Sequence, residues 1–297
     1  MLLPLNETAG NKQPMKFAKT VLVFGGPYSN LRAIDAMRQT ADQLGIDAAH
    51  TICTGDVVAY CGEPEETVVA VRTWGCHVVA GNCEQQLAQN AEDCGCGFDA
   101  DTACNRMAKD WYSFAQQRIS PHSRAWMAAL PDHLDFSVAG RTCRVVHGGI
   151  DLVNRFVFGS ERDLIAQELA KADVDVVIGG HAGLPFIAQV GARLWFNPGV
   201  IGMPANDGTP DVWYGLIEID GADVMFTTHR LAYDHAPAAA ATRAGGHADA
   251  YAAALATGLW PSLDSLPPDE RTATGRAIQP QSLRLPAKVG LPDYVSA

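Results

Sequence analysis

The sequence predicts an α/β fold, a body of strands covered by helices. Two observations carry this. The first half alternates short valine-rich runs with stretches of helical periodicity, and the second half is a series of strand-like runs. The runs also end on glycines, Gly25-Gly26 after the first and a glycine next to a polar residue after four others: Gly55-Asp56, Gly81-Asn82, His147-Gly148 and Gly180-His181. Strands alternating with helices imply a parallel or mixed sheet with covered faces, and ligands gather beyond the carboxyl ends of such strands.

The elements follow in order. Residues 20–24 (TVLVF) read as a strand, the Gly25-Gly26-Pro27 turn follows, and Leu31, Ile34, Ala36, Met37 and Leu44 mark a helix over 30–44. Strand 50–53 ends at Gly55-Asp56, helix 65–74 follows, and strand 77–80 ends at Gly81-Asn82. Residues 101–130 are mostly helical, with a break at Pro121. Strands at 142–146, 174–178 and 194–196 lead into His147, His181 and Asn197-Pro198-Gly199. Residues 212–219 and 224–231 form a closing hairpin turned at Asp220-Gly221.

After Tyr233 the composition shifts to Ala, Pro and Gly. We read 1–19 as an N-terminal extension, 20–234 as the main domain and 235–297 as an Ala/Pro-rich C-terminal extension. Within the last, 236–246 reads as a linker and 247–257 as a short helix, with Trp260 and Leu266 as anchors onto the body. This extension lacks strand-helix alternation, so no second catalytic domain is expected and 20–234 is expected to fold without it.

The formal net charge is −11. That excludes general nucleic-acid binding, which rests on neutralising phosphates with Lys and Arg. It leaves room for a small phosphate-bearing ligand, since a bound cation supplies local positive charge. No basic segment followed by a sustained apolar run opens the chain, and no run of about 18 apolar residues occurs, so neither a signal peptide nor a membrane span is expected. The expected compartment is the cytoplasm; a homo-oligomer stays open.

Asp56, Asn82, His147 and His181 each close a strand. Singly, each is better explained as a capping or hydrogen-bonded group than as a ligand. Together, a carboxylate, an amide oxygen and two imidazoles suit a divalent transition metal such as Mn, Fe, Zn or Ni. In TGDVVAYCGEPEETV, AGNCE, VVHGG and GGHAG, and in GLPFIAQVGARLWFNPGVIGMPANDG, the chain resembles the calcineurin-like metallophosphoesterases over 20–234, nearest their prokaryotic phosphodiesterase branch. The resemblance implies a metallophosphoesterase-type β-sandwich flanked by helices (αββα) with two metals at the strand ends. It assigns one metal to Asp56, Asn82, His147 and His181.

The other metal of that family uses an aspartate and a histidine from an N-terminal D-x-H motif and the last histidine of GHTH. Here those places hold Gly26, Tyr28 and Gly183. One ion is therefore expected. Tyr28 is open to three readings: a space-filling ring, a hydrogen-bond donor to a phosphoryl oxygen, or a phenolate ligand. Cys83 stands where the family usually has a histidine that assists the leaving group; a buried strand-end thiol is the alternative. The turn 25–30, with Gly26 and Asn30, would offer backbone N–H groups to phosphate, and Gly149 would join the substrate site. Cys94, Cys96 and Cys104 read as thiols in a glycine-rich loop in preference to a zinc site, and a reversible disulfide among them stays open. The function expected is metal-dependent hydrolysis of a phosphodiester or nucleotide-like small molecule. The alternative is a non-hydrolytic metal- or ligand-binding regulatory protein on the same fold, and a repurposed metal site with non-phosphate, redox chemistry through Cys83 or Tyr28 is a third.

Overall fold

The computed structural model describes residues 15–98, 101–246 and 248–288. Residues 1–14 of the expected N-terminal extension, His247 and the chain from 289 onward lie outside the described residues.

In chain order the elements are β1 (Met15–Phe17), β2 (Val21–Phe24), α1 (Leu31–Leu44), β3 (Thr51–Cys53), α2 (Pro64–Trp74), β4 (His77–Val78), α3 (Asn82–Gln89), α4 (Ala103–Gln116), α5 (Pro121–Ala128), β5 (His133–Val138), β6 (Arg141–Val146), α6 (Arg162–Lys171), β7 (Val176–Ile178), β8 (Phe186–Val190), β9 (Arg193–Asn197), β10 (Val212–Asp220), β11 (Asp223–Leu231), α7 (His235–Ala244), α8 (Asp249–Thr257), α9 (Pro268–Thr272) and β12 (Ser282–Leu285). The strands form two six-stranded sheets, ordered β1-β5-β6-β7-β9-β8 and β12-β11-β10-β2-β3-β4.

The period of two along a strand explains the layers. Val21 and Val23 face the core between the sheets, with Ile52, Val145, Val176, Ile178 and Phe196. Leu22 and Phe24 point the other way, to Ile34 and Met37 of α1 and Val68 and Val71 of α2. On the other sheet Val146, Val177 and Trp195 turn outward against Ile165 and Leu169 of α6. Both faces of each central strand are buried, which is why these strands read as continuous apolar runs. The result is four layers, helices–sheet–sheet–helices, as the resemblance implies.

Local chemistry sets the boundaries. Asn30 caps α1, its Oδ1 accepting from the Ala33 N–H at 3.2 Å, and Gly45 ends the helix in the left-handed region. Pro121 opens α5, so the break expected there is the start of a second helix. The hairpin at Asp220-Gly221 is formed, with Asp220 opposite Asp223.

Three expectations change. Residues 236–246 are not a linker, because α7 occupies 235–244 and buries Ala238, Ala239 and Thr242. Alanine is the strongest helix former, and Pro237 lies in the first turn, where its missing N–H costs nothing. Strand β1 pairs in parallel with β5, so part of the expected N-terminal extension belongs to a sheet. Strand β12 pairs with β11, adding the far C-terminal segment to the other sheet. Leu266 is buried, and Trp260 is tied down by its Nε1–H to the Pro204 carbonyl (2.6 Å) and its backbone N–H to Asn206 Oδ1 (2.8 Å).

Candidate metal centre

Asp56 lies in the loop after β3, with Gly55 and Asp56 both at positive φ. That conformation is tolerated at glycine but costs energy at an aspartate, so something must hold it. Glu84 does. Its Oε2 accepts from the N–H groups of Asp56 (2.7 Å) and Gly81 (2.9 Å), and its Oε1 accepts from Val57 (2.8 Å). One buried carboxylate thus fastens the loop carrying Asp56 to the N-terminus of α3, which begins at Asn82. Sequence reasoning missed Glu84 as a site residue. The signal was its spacing, three residues after Gly81, where a helix N-terminus favours a carboxylate.

The ligand residues converge. Asp56 Oδ2 is 3.2 Å from His147 Nε2 and 3.9 Å from His181 Nδ1, and the two imidazole nitrogens are 3.0 Å apart. Asp56 Oδ1 accepts from the Cys83 N–H at 3.2 Å. Asp56, Asn82, His147 and His181 are all buried. His147 donates its Nδ1–H to the Thr54 carbonyl at 2.7 Å, which leaves the Nε2 lone pair aimed at Asp56 and His181.

Burial works against the Asp56 carboxylate, but the charges and hydrogen bonds of His147 and His181 hold it well below the usual carboxylate range. Burial also opposes a charge on His147, yet Asp56 raises that imidazole above its ordinary value. Burial pushes His181 down, and the pull of Asp56 does not restore it. Burial and the Asp56 charge push Glu84 up to about 7.

A divalent transition metal fits these residues. A carboxylate oxygen and two imidazole nitrogens lie within 4.8 Å of one another in a buried place, a donor set suited to such a cation. The Asn82 amide adds a second argument. Its Nδ2 donates to the Cys94 carbonyl (2.8 Å), while its Oδ1 is buried with no hydrogen-bond partner. Buried acceptors are seldom left unpaired.

Tyr28 occupies the other half of the site. Its ring atoms come within 2.4 Å of where a Cβ on Gly26 would stand, and its hydroxyl is 3.7 Å from where one on Gly183 would stand. The phenol therefore fills the space between two of the three positions where the resemblance finds ligands missing. Burial, and then the nearby Asp56, push this phenol well above its ordinary value. Burial, Asp56 and Glu84 do the same to the Cys83 thiol.

Other candidate residues have structural duties. The amides of Gly25, Tyr28, Ser29 and Asn30 are spent on Gly199, Asp56, Val57 and Pro27 carbonyls, so the 25–30 turn does not present a free row of donors to phosphate. The Asn30 side chain also donates to the Gly202 carbonyl (3.1 Å) and the Tyr233 hydroxyl (3.0 Å). Gly149 gives its N–H to Leu152, and a side chain there would meet Arg155 and Glu168. Cys94 and Cys96 are joined as a disulfide beside Asn82, whose Nδ2 lies 3.4 Å from Cys96 Sγ, whereas Cys104 is a free thiol. Of the readings the sequence left open for these cysteines, the first pair takes the disulfide.

Two openings flank the centre. A polar cleft of about 450 Å³ reaches His147 and Gly149 and includes Gln85, Asp132 and Arg144. An apolar cavity of about 60 Å³ reaches His181, Tyr28 and Gly183. No helix among the described residues is long and apolar enough to cross a membrane.

Comparison with known proteins agrees with this geometry. The fold matches a metallophosphoesterase from Sphaerobacter thermophilus with a TM-score of 0.65 at 22% identity, covering 82% of this chain and 100% of the other. It also matches a hypothetical protein from Pyrococcus horikoshii OT3 with a TM-score of 0.67 at 14% identity, covering 83% and 100%. At these identities the likeness is one of fold. No curated protein sequence matches the chain significantly. The family model of the calcineurin-like phosphoesterase superfamily domain matches residues 29–222. By that match, with the double sheet and the Asp56–His147–His181 centre, the chain belongs to the calcineurin-like phosphoesterase superfamily.

Proposed function

We propose that the protein is a metal-dependent phosphoesterase that hydrolyses a small phosphodiester using one tightly held divalent transition metal. The observation that carries this is the convergence of His147 Nε2 and His181 Nδ1 on Asp56, together with a buried Asn82 Oδ1 that has no hydrogen-bond partner. These residues would hold the ion, which supplies Lewis acidity and an acidified water when bound.

The chain's own groups do the rest. Thr54 fixes the tautomer of His147, and Glu84 fixes the Asp56 loop. The protonated Tyr28 hydroxyl is a donor suited to a phosphoryl oxygen, in the place of the missing second cation. The protonated Cys83 thiol, one residue from Asn82, is suited to hand a proton to the departing alkoxide. Ligation needs unprotonated imidazoles, so metal affinity falls as pH drops through the histidine range.

A second reading has its own support. Tyr28 blocks the second metal position, which favours a binding protein that retains one ion without turnover. Elemental analysis of protein purified without added metal, alongside hydrolysis of bis(4-nitrophenyl) phosphate, separates the two. One ion per chain with metal-dependent turnover is the expected result; one ion with no turnover across phosphomonoesters and diesters selects the binding protein.

A further inference from the structure

The Cys94–Cys96 bridge lies in the irregular stretch that follows α3, and the proposed hydrolysis makes no use of it. The two cysteines stand two apart in sequence, with Cα atoms 5.3 Å apart, inside the usual range for a disulfide. A bridge this local closes a very short loop and removes little entropy from the unfolded chain. Holding the fold together is therefore not its main effect. The stretch has other fastenings too: the Gly95 N–H donates to Asp93 Oδ1 and the Gly95 carbonyl accepts from Asn154 Nδ2, both at 2.8 Å.

What the bridge does hold is the metal centre. Asn82 Nδ2 donates to the Cys94 carbonyl at 2.8 Å and lies 3.4 Å from Cys96 Sγ. With Nδ2 committed to this turn, Oδ1 is the atom left over, buried and without a hydrogen-bond partner. A second link runs through rings: Phe98 lies 5.9 Å from Phe156, which lies 4.3 Å from the His181 ring. Cutting the bridge turns a covalent contact into a van der Waals one, so the two sulfurs must part. In a close-packed interior they displace what touches them, and that is Asn82. A cleft of about 290 Å³, lined by both cysteines, gives access. It is near the lower end of small-molecule sites, about 300–1,000 Å³. Cys94 and Cys96 are only 5% and 3% exposed, so the broad surface of a protein reductant does not reach them, whereas a small thiol enters the cleft.

We propose that the Cys94–Cys96 bridge is a thiol–disulfide exchange site for a small dithiol, and that it governs metal binding through Asn82: the closed bridge holds Asn82 ready for the ion, and the open bridge releases it. A thiolate of the dithiol attacks one bridge sulfur and forms a mixed disulfide. The Cys94–Cys96 bond breaks with its electron pair leaving on the other cysteine sulfur, which takes a proton. The second thiol of the reagent then attacks the reagent's own sulfur in the mixed disulfide, and the remaining cysteine leaves as a thiol. The protein gains two electrons and two protons, and the dithiol is oxidised to its cyclic disulfide. This switching requires the metal centre of Asp56, Asn82, His147 and His181 and does not require hydrolysis.

The test uses the full chain, freed of metal with a chelator. Oxidised protein is compared with protein reduced by dithiothreitol and desalted without air, and alkylation followed by tandem mass spectrometry reads the state of Cys94 and Cys96. Calorimetric titration with Mn²⁺ should show affinity about tenfold or more weaker in the reduced form, restored when the bridge is closed again with oxidised dithiothreitol. Cys94→Ser with Cys96→Ser should bind Mn²⁺ as the reduced protein does and ignore the reductant, whereas Cys104→Ser should keep the full response. The melting midpoint of the metal-free protein should fall by no more than about 5 °C on reduction. Equal or tighter Mn²⁺ binding in the reduced form, a cysteine pair that oxidant does not join, or a much larger fall in melting, as from a structural staple, overturns the switch and leaves the metal centre standing. Absence of Mn²⁺ binding in both states overturns the metal centre and the switch with it.

Discussion

The ring of Tyr28 stands where a side chain on Gly26 would begin, 2.4 Å from the position of its Cβ. The two residues form one unit: the glycine exists because the phenol lies across it, and the phenol fills the place that a ligand at 26 would need. Gly26→Asp alone should therefore not restore a second metal. It should destabilise the protein by about 1–3 kcal/mol through overpacking, seen as a lower midpoint in denaturant at unchanged slope. Gly26→Asp with Tyr28→His should recover most of that loss. A single variant that melts like the parent would refute the packing argument.

His181→Ala removes one of two imidazole donors and leaves the shared Asp56 with His147 and Asn82. Metal affinity should fall by about 100-fold, whereas Tyr28→Phe should change affinity less than about threefold and slow turnover instead. Calorimetric titration with Mn²⁺ or Zn²⁺ on chelator-treated protein decides this; equal losses in both variants would place the ion nearer the phenol than to the histidines.

Glu84 accepts three backbone N–H groups from two loops. Glutamine at 84 keeps the shape but offers a single oxygen, so at least one buried N–H is left facing an NH₂ group. Glu84→Gln should cost about 1–3 kcal/mol, and the lost geometry around Asp56 should weaken metal binding even where the fold persists at low temperature. Unfolding midpoints and metal titration of the same sample test both parts.

Far from the centre, the buried carboxylate of Asp207 accepts from Arg230, Thr209 and the Ile278 N–H, which ties the C-terminal segment to β11. Burial opposes its charge, but these bonds hold its carboxyl below the usual value. A depressed folded value means stability that is present above the unfolded value near 4 and lost as pH falls through the folded one. Asp207→Asn should thus lose about 3 kcal/mol at pH 7 and converge on the parent as pH falls below the depressed folded value. A pH-independent difference between the two would refute the ionic account.

Truncation after Asp234 should not leave a well-folded body, contrary to what composition suggests. Ala238, Ala239, Tyr251, Ala252 and Leu255 of α7 and α8 sit in one core with Ile34 and Met37 of α1. Removing them uncovers that core. The truncated chain should show a broad thermal transition and bind a hydrophobic dye; a sharp transition at the parental temperature would mean that the extension merely rests on the body.

The sequence by itself determined the layers and pointed to Asp56, His147 and His181, which the fold brings together. Continuous apolar runs such as 20–24, bounded by glycine turns, read as strands covered on both faces, and Asp56, His147 and His181 each follow such a run, at the strand ends where ligands gather. It also showed which ligands were missing, since Gly26 and Gly183 have no side chain to offer. What it did not reveal depends on contacts between distant residues. That Tyr28 lies across Gly26 toward Gly183, that Glu84 fastens Asp56, and that Asn30 and Gly149 are spent on packing are matters of where side chains point after the sheets have closed. The alanine-rich 236–246 stretch shows the same limit. Its composition fits a linker or a helix equally, and the apolar surface of α1 and α8, present only in the folded chain, tips it to helix because burying alanine there outweighs the entropy of leaving it free.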